Sequence, residues 1–314
     1  MAVSFRNYKY LFGPVPSRRL GLSLGVDILP SKTCSLDCVY CESGKTTTLT
    51  TVRKSYVDFQ AVIEELKSYL STNPELDYVT FSGCGEPTLN LDIKTIIRFL
   101  KKNFPQYKIA LLTNSTLFFN DEVRNDLLEV DLVVASVDAV SKKVFGEINR
   151  PEETIQVAAF IDGLKLFRKE FLNELWLEIF VVPGVNDTDE EIRLIRQVIK
   201  EINPDNIQLN SLDRPGAEAW VPPADNKCLN AFRNKLDSGE LIEAEVRPPA
   251  AESAENLDMA ILSMIKRRPC TPVDMEAAFG AMSKDVDEVL NRLLCKGFIC
   301  KEEMGRGVFY KSVV

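Results

Sequence analysis

Residues 33–41 read Thr33-Cys34-Ser35-Leu36-Asp37-Cys38-Val39-Tyr40-Cys41, with three cysteines spaced C-x3-C-x2-C on one short loop. Three thiolates are one too few to close a structural zinc site or to saturate an iron–sulfur cube. A cube held by three thiolates keeps one iron open, and an open coordination position is where a metal centre does chemistry. Tyr40 precedes the last cysteine, where its ring can cover the cluster edge and flank a bound adenine. The plainer alternative is three structural or metal-binding cysteines of another kind, since short cysteine motifs recur by chance.

Outward from this loop the chain alternates apolar, strand-like runs with amphipathic, helix-like ones. The runs predict strands at Leu24–Leu29, Tyr78–Ser82, Lys108–Thr113, Leu132–Val137, Trp176–Val182 and Ile207–Leu212. Helices are predicted near 57–71, 91–103, 120–129, 152–170 and 187–201, the last opening on the acidic start Asp187-Thr-Asp-Glu-Glu. Strands separated by helices pair in parallel with right-handed crossovers. Six such units fall short of a closed eight-stranded barrel, so the expected fold is α/β, an open partial (β/α)6 TIM-like barrel. Its active residues should gather at the C-terminal strand ends.

The strand ends carry recognisable residues. The second closes on Phe81-Ser-Gly83-Cys84-Gly85-Glu86-Pro-Thr-Leu, where two glycines let the backbone approach a ligand and Glu86 adds an acceptor. The third ends at Thr113-Asn114-Ser115 and the fourth at Ser136-Val-Asp138, both also readable as short polar caps. The fifth runs into Pro-Gly184-Val185-Asn186. The sixth places Gln208 and Asn210 on one face, either lining a pocket or bonded to each other in the core.

Together these motifs resemble the radical S-adenosylmethionine superfamily over residues 10–215, in a compact subgroup distantly similar to wyosine-forming tRNA enzymes. The resemblance implies one [4Fe–4S] cluster on Cys34, Cys38 and Cys41. Its open iron would bind the amino and carboxylate groups of S-adenosylmethionine, whose reductive cleavage releases a 5′-deoxyadenosyl radical for hydrogen abstraction. It further implies cofactor contacts at Gly83, Gly85 and Glu86 near the methionine amino group. Asn114 falls in a turn like the family's Thr-Asn-Gly, Ser136 and Asp138 would meet the ribose and methionine portions, and the Val185 loop would meet adenine. Cys84 stands between the two motif glycines. It is a candidate hydrogen-atom donor to a substrate radical, or a small buried thiol. Arg18, Arg19, Arg150 and Arg214 are candidates to clamp a substrate carboxylate or phosphate, or else structural ion pairs.

The chain has 314 residues, eight cysteines, no histidine and a net charge of −8. The missing histidine excludes Ser-His-Asp and Cys-His nucleophilic catalysis and histidine-based zinc hydrolysis. The five scattered cysteines suggest neither a disulfide framework nor a second cluster and fit a reducing compartment. With no signal pattern and no apolar run of membrane-spanning length, the expected location is the cytoplasm, without membrane association. Residues 1–54 hold eight Lys/Arg against three acids. That local positive charge could receive an anionic substrate, the cofactor carboxylate or an acidic electron donor such as flavodoxin or ferredoxin, or be ordinary surface charge.

Prolines punctuate 213–250, read as a closing segment and linker after a barrel over 1–212. Residues 251–314 read as three helices and a hairpin, a small winged-helix-like domain. Their nine Lys/Arg and ten Asp/Glu disfavour nucleic acid, although Arg306 sits in the wing. The expected function is hydrogen abstraction from a small-molecule, peptide or protein substrate. The alternatives are a tRNA-modifying enzyme and, in a different class, an iron–sulfur transcription regulator.

Overall fold

Each apolar run forms or overlaps a strand, and each amphipathic run overlaps a helix. In chain order the strands are β1 (Leu11–Ser17), β2 (Gly21–Val26), β3 (Thr33–Cys34), β4 (Thr48–Leu49), β5 (Tyr78–Phe81), β6 (Lys108–Thr113), β7 (Leu132–Ser136), β8 (Glu174–Phe180), β9 (Asn206–Asn210), β10 (Glu240–Leu241), β11 (Ile299–Met304) and β12 (Gly307–Ser312). The helices are α1 (Phe59–Leu70), α2 (Ile93–Asn103), α3 (Asp121–Asp126), α4 (Lys142–Ile148), α5 (Val157–Glu170), α6 (Asp189–Ile202), α7 (Asn226–Leu236), α8 (Leu257–Arg267), α9 (Pro272–Phe279) and α10 (Ser283–Cys295). This computed structural model describes residues 8–17, 19–241, 257–280, 282–305 and 307–313. Arg18, Arg306, the end of the expected linker (242–250) and the start of the expected last domain (251–256) lie outside the described residues.

Strands β2, β5, β6, β7, β8 and β9 pair in parallel in the order of the sequence, as successive βα units require. The sheet has eight strands rather than six. β1 adds antiparallel to β2, and the two-residue β10 adds parallel to β9 at the far edge. β1 hid from the sequence reading because its Gly-Pro-Val-Pro run looks like a loop. An edge strand tolerates proline, and the register shifts between Phe12 and Val15 to accommodate it. Helix α4 was also unforeseen; Ser141 caps it by accepting from the Val144 N–H at 3.3 Å.

Strand alternation divides the residues between two faces. Leu175, Leu177 and Ile179 of β8 and Ile207 and Leu209 of β9 join the main core with the helices. On the opposite, concave face, Leu20, Ala110, Leu132 and Val134 form an apolar plug with Trp176 against it. Toward the strand ends this face turns polar, with Ser23 and Thr80 hydroxyls 2.6 Å apart and Glu178, Gln208 and Asn210 beyond. Helices α8–α10 and the antiparallel ribbon β11–β12 have their own core around Ile261, Met275, Val289 and Leu293. In α9, Thr271 and Asp274 form a reciprocal capping box with Pro272 in the first turn, and Gly280 closes the helix in the left-handed region.

Candidate active site at the cysteine loop

The loop after β2 is pinned from three sides. Thr46 donates its N–H to Asp37 Oδ1 and its hydroxyl to the Leu36 carbonyl, both at 2.7 Å. The Asp37 and Val39 N–H groups donate to the Asn149 and Ile148 carbonyls at 3.0 and 2.9 Å. Cys34 lies in β3, paired with β4.

Each of the three thiols receives one side-chain N–H donor. Asn114 Nδ2 lies 3.5 Å from Cys34 Sγ, Asn149 Nδ2 lies 3.4 Å from Cys38 Sγ, and Lys32 Nζ lies 3.1 Å from Cys41 Sγ. Burial pushes the Cys34 thiol up to about 12, with Glu86 adding to the effect, and holds Cys38 well above its ordinary value. Burial works against the charge of Lys32, but the thiols, Cys41 first, outweigh it and hold its ammonium above the usual range. Such a pocket suits thiolates only when a strong cation replaces their protons.

The donor set fits a cube better than a lone ion. Among the described residues no three Cys, His, Asp or Glu side chains come together as a single metal ion would need. A cube instead takes one thiolate on each of three irons, so its ligands must stand apart.

Beside the loop, Gly83 has φ +141°, and a Cβ there would sit 2.2 Å from the Asp27 carboxyl carbon. A Cβ on Gly85 would sit 2.0 Å from the Thr33 carbonyl. Only glycine leaves room for the Asp27 carboxyl at the first position and for the Thr33 backbone at the second. Glu86 is buried; its Oε1 accepts from the Thr88 N–H and hydroxyl and from the Thr113 hydroxyl, and its Oε2 from the Asn114 N–H. Most of its acceptor capacity therefore goes to shaping the loop that carries Asn114.

Asp138 is equally committed. Its Oδ1 accepts from the Phe180 N–H at 2.8 Å, and its Oδ2 accepts from Asn149 Nδ2 at 2.7 Å and from the Tyr40 hydroxyl. Burial raises its carboxyl above the usual range, while these three donors pull the other way. Tyr40 stacks on Phe180 at 3.8 Å between ring centroids. Val185 packs against the same cluster, while Ser136 contributes its carbonyl to the Ser115 hydroxyl. The sequence reading gave no role to Asn186, Phe180 or Lys32. Asn186 bonds the Asp138 and Phe180 carbonyls at 2.9 and 2.8 Å. Only its place beside Val185 hinted at this.

Of the described candidate arginines, Arg19 and Arg214 line one cavity of about 210 Å³ together with Asn210, while Arg150 stands apart. Arg150 pairs with Glu218 at 2.6 Å, alongside Lys45 at 3.0 Å, on the other side of the cysteine loop. Arg19 pairs with Glu178 on the concave face. Arg214 donates to Asp274 at 2.8 Å and to the Pro269 carbonyl at 2.9 Å, tying the segment after β9 to α9. Asn210 uses its Oδ1 on the Ser211 N–H at 2.9 Å, whereas the buried Oε1 of Gln208 has no partner among the described residues. Cys84 is buried beside Asp27, its N–H 3.3 Å from Asp27 Oδ2, and borders a cavity of about 520 Å³. Burial, with Asp27 adding, pushes this thiol to about 12, so it keeps its S–H.

A family model described as Radical SAM superfamily matches residues 28–195, more than half the chain. UPF0026 protein MJ1312 of Methanocaldococcus jannaschii is 31% identical over 307 residues, covering 95% of this chain and 94% of its own length. A protein of Brachyspira hyodysenteriae named GTPase Obg is 33% identical over 310 residues, 97% of this chain. The chain spans only 45% of that longer relative. The crystal structure of Streptococcus suis SuiB bound to S-adenosylmethionine has a TM-score of 0.52 at 15% identity, over 74% of this chain and 53% of that one, and shares the fold.

Proposed function

Because the chain belongs to the radical S-adenosylmethionine superfamily, and within it to the proteins described as UPF0026, we propose that it cleaves S-adenosylmethionine reductively and so takes a hydrogen atom from a substrate at the barrel mouth. The family's cofactors, one [4Fe–4S] cluster and S-adenosylmethionine, are this chain's cofactors. When bound, they supply one-electron chemistry that no side chain here can perform. The observation that carries the reading is the set of three thiols, each with its own N–H donor, beside a wall that only glycine can form.

The residues divide the work. Cys34, Cys38 and Cys41 hold the cluster, and Asn114, Asn149 and Lys32 orient their sulfurs. Gly83 and Gly85 admit the cofactor's backbone-facing side, with Glu86 bracing the loop. Asp138 holds Tyr40 and Asn149 in place, while the Tyr40–Phe180 stack and Val185 present an apolar wall to adenine. Ser136 adds a hydroxyl at the same strand end. Cys84, kept as a neutral thiol, is available to return a hydrogen atom to a substrate radical. The reductant is a small electron carrier of the flavodoxin or ferredoxin type, drawn to the basic N-terminal stretch. Of the described residues, those up to 212 form the barrel, 213–241 its closing segment, whose β10 joins the sheet, and those from 257 on a winged-helix-like domain that covers it.

Anaerobic reconstitution, reduction with dithionite and chromatography for 5′-deoxyadenosine test this reading. Product from the wild type, absent in Cys38→Ala, is expected. A fully loaded, reducible cluster that never binds S-adenosylmethionine would overturn it and favour a sensor.

A further inference from the structure

Two adjoining cavities, of about 250 and 210 Å³, lie between the concave face of the sheet and the C-terminal helices. Phe12, Arg19 and Ser82 line both from the barrel; Met264, Arg268 and Ala278 line both from the C-terminal side. This cover is fastened at two places. Arg214 holds Asp274 and the Pro269 carbonyl. Met304, at the end of β11, packs against the cluster that contains Phe180 and Val182, beside Tyr40.

Glu42 lines both cavities and Asp213 and Asp274 line the second, all three within 4.0 Å of the Arg214 guanidinium, so most of the charges here are spent on one another. Arg214 is paired with Asp274 and Arg19 with Glu178. Arg267 donates to the Ser263 hydroxyl at 2.6 Å and lies over the Phe12 ring. Arg268 differs: among the described residues, its guanidinium has no carboxylate within ion-pair distance. Burial, and then the neighbouring Arg214, hold it below its ordinary value, against the weaker pull of Cys270, Glu42 and Asp274. Leaving a partly buried cation unpaired is costly, and an anion in the cavity would relieve both effects. Farther in, Asn210 lines the second cavity, and Gln208 on the same face has an Oε1 without a partner among the described residues, which calls for a donor.

We infer that Arg268 anchors an oxyanion of the substrate, a carboxylate or a phosphate, in the space between the barrel and the C-terminal helices. This deepens the function proposed above and rests on it for the identity of the bound molecule as substrate. Bidentate guanidinium recognition suits either anion.

The test is isothermal titration of the full chain with inorganic pyrophosphate and, separately, with succinate, at constant ionic strength. At least one should bind saturably, and Arg268→Ala and Arg268→Gln should each weaken it by about tenfold or more, the loss of a charge-assisted contact. Arg292→Ala, on exposed α10, should leave it within about twofold. Binding of pyrophosphate alone identifies a phosphate substrate, and of succinate alone a carboxylate. On the wild type, the bound anion should shield Arg268 from phenylglyoxal, mapped by mass spectrometry. This readout does not depend on the variants folding. No saturable binding of either anion, or an Arg268 modified equally with and without it, would overturn the inference. Neither readout needs cluster or cofactor, so failure to form 5′-deoxyadenosine would leave the anion site standing and strike only the reaction.

Discussion

The two sides of the barrel mouth solve opposite problems. On the cysteine side, buried polar groups are tied to one another: Asp138 to Tyr40, Asn149 and the Phe180 N–H, and Glu86 to Thr88, Thr113 and Asn114. Such a network holds a fixed geometry for cofactors whose shape does not vary. On the C-terminal side two cavities of about 250 and 210 Å³ open, and among the described residues Arg268 forms no ion pair and Gln208 Oε1 has no hydrogen-bond partner. The difference is one of degree, since Asn149 Oδ1 on the cysteine side also has no hydrogen-bond partner among the described residues. The contrast separates where the common chemistry is held from where a particular substrate would be chosen.

The largest expected effect tests the cysteine side. Cys38→Ala should lose cluster iron and reduce 5′-deoxyadenosine to background, measured by iron assay, absorbance and chromatography. Retention of both would break the comparison at its root. Next, Asp138→Ala strands the Tyr40 hydroxyl, Asn149 and the Phe180 N–H. It should cost about 3 kcal/mol in urea unfolding, since bonds to a charged, buried partner are lost together. Gly85→Ala drives a methyl group into the Thr33 carbonyl and should cost about 2 kcal/mol, as overpacking does, with lower iron retention in the same preparations.

A smaller effect depends on pH. Burial raises the Asp27 carboxyl above its unfolded value, only partly opposed by Arg267. Its contribution to stability is therefore full below the unfolded value near pH 4 and is lost as pH rises through the higher folded value. Asp27→Asn, always neutral, should lose less stability between about pH 4 and pH 7 than the wild type, read as the difference between their urea midpoints. The smallest effect belongs to the C-terminal surface. Arg292→Ala removes an exposed pair with Asp258 and should shift Tm by about 2 °C or less, with the shift vanishing in high salt. A large shift there would mean that the outer face of α10 carries weight assigned here to the cavity.

Much of the barrel was legible because strands and amphipathic helices announce themselves by period. The parallel strands begin and end within a few residues of their apolar runs. Leu11–Ser17 was not legible, because its prolines are compatible with a strand only at a sheet edge, which no local pattern reveals. The cysteine spacing likewise marked its loop. It could not show that Arg150 would turn to Glu218, or that Asp138 would be enclosed by Tyr40 and Asn149. Those partners are 68, 98 and 11 residues away in the chain.

The sequence by itself determined the βα order, the three-thiolate loop and its two-glycine wall, because each depends on residues adjacent in the chain or on a period of two or 3.6. Only the tertiary structure decided which charges neutralise one another. Arg214 finds Asp274 because the segment after β9 meets α9, and Arg19 finds Glu178 because β1 leads into the barrel, while Arg268 is carried to a cavity wall that it shares with Glu42, Asp213 and Asp274 without forming an ion pair among the described residues. Pairing of charge is a matter of distance in space, and distance along the chain does not set it.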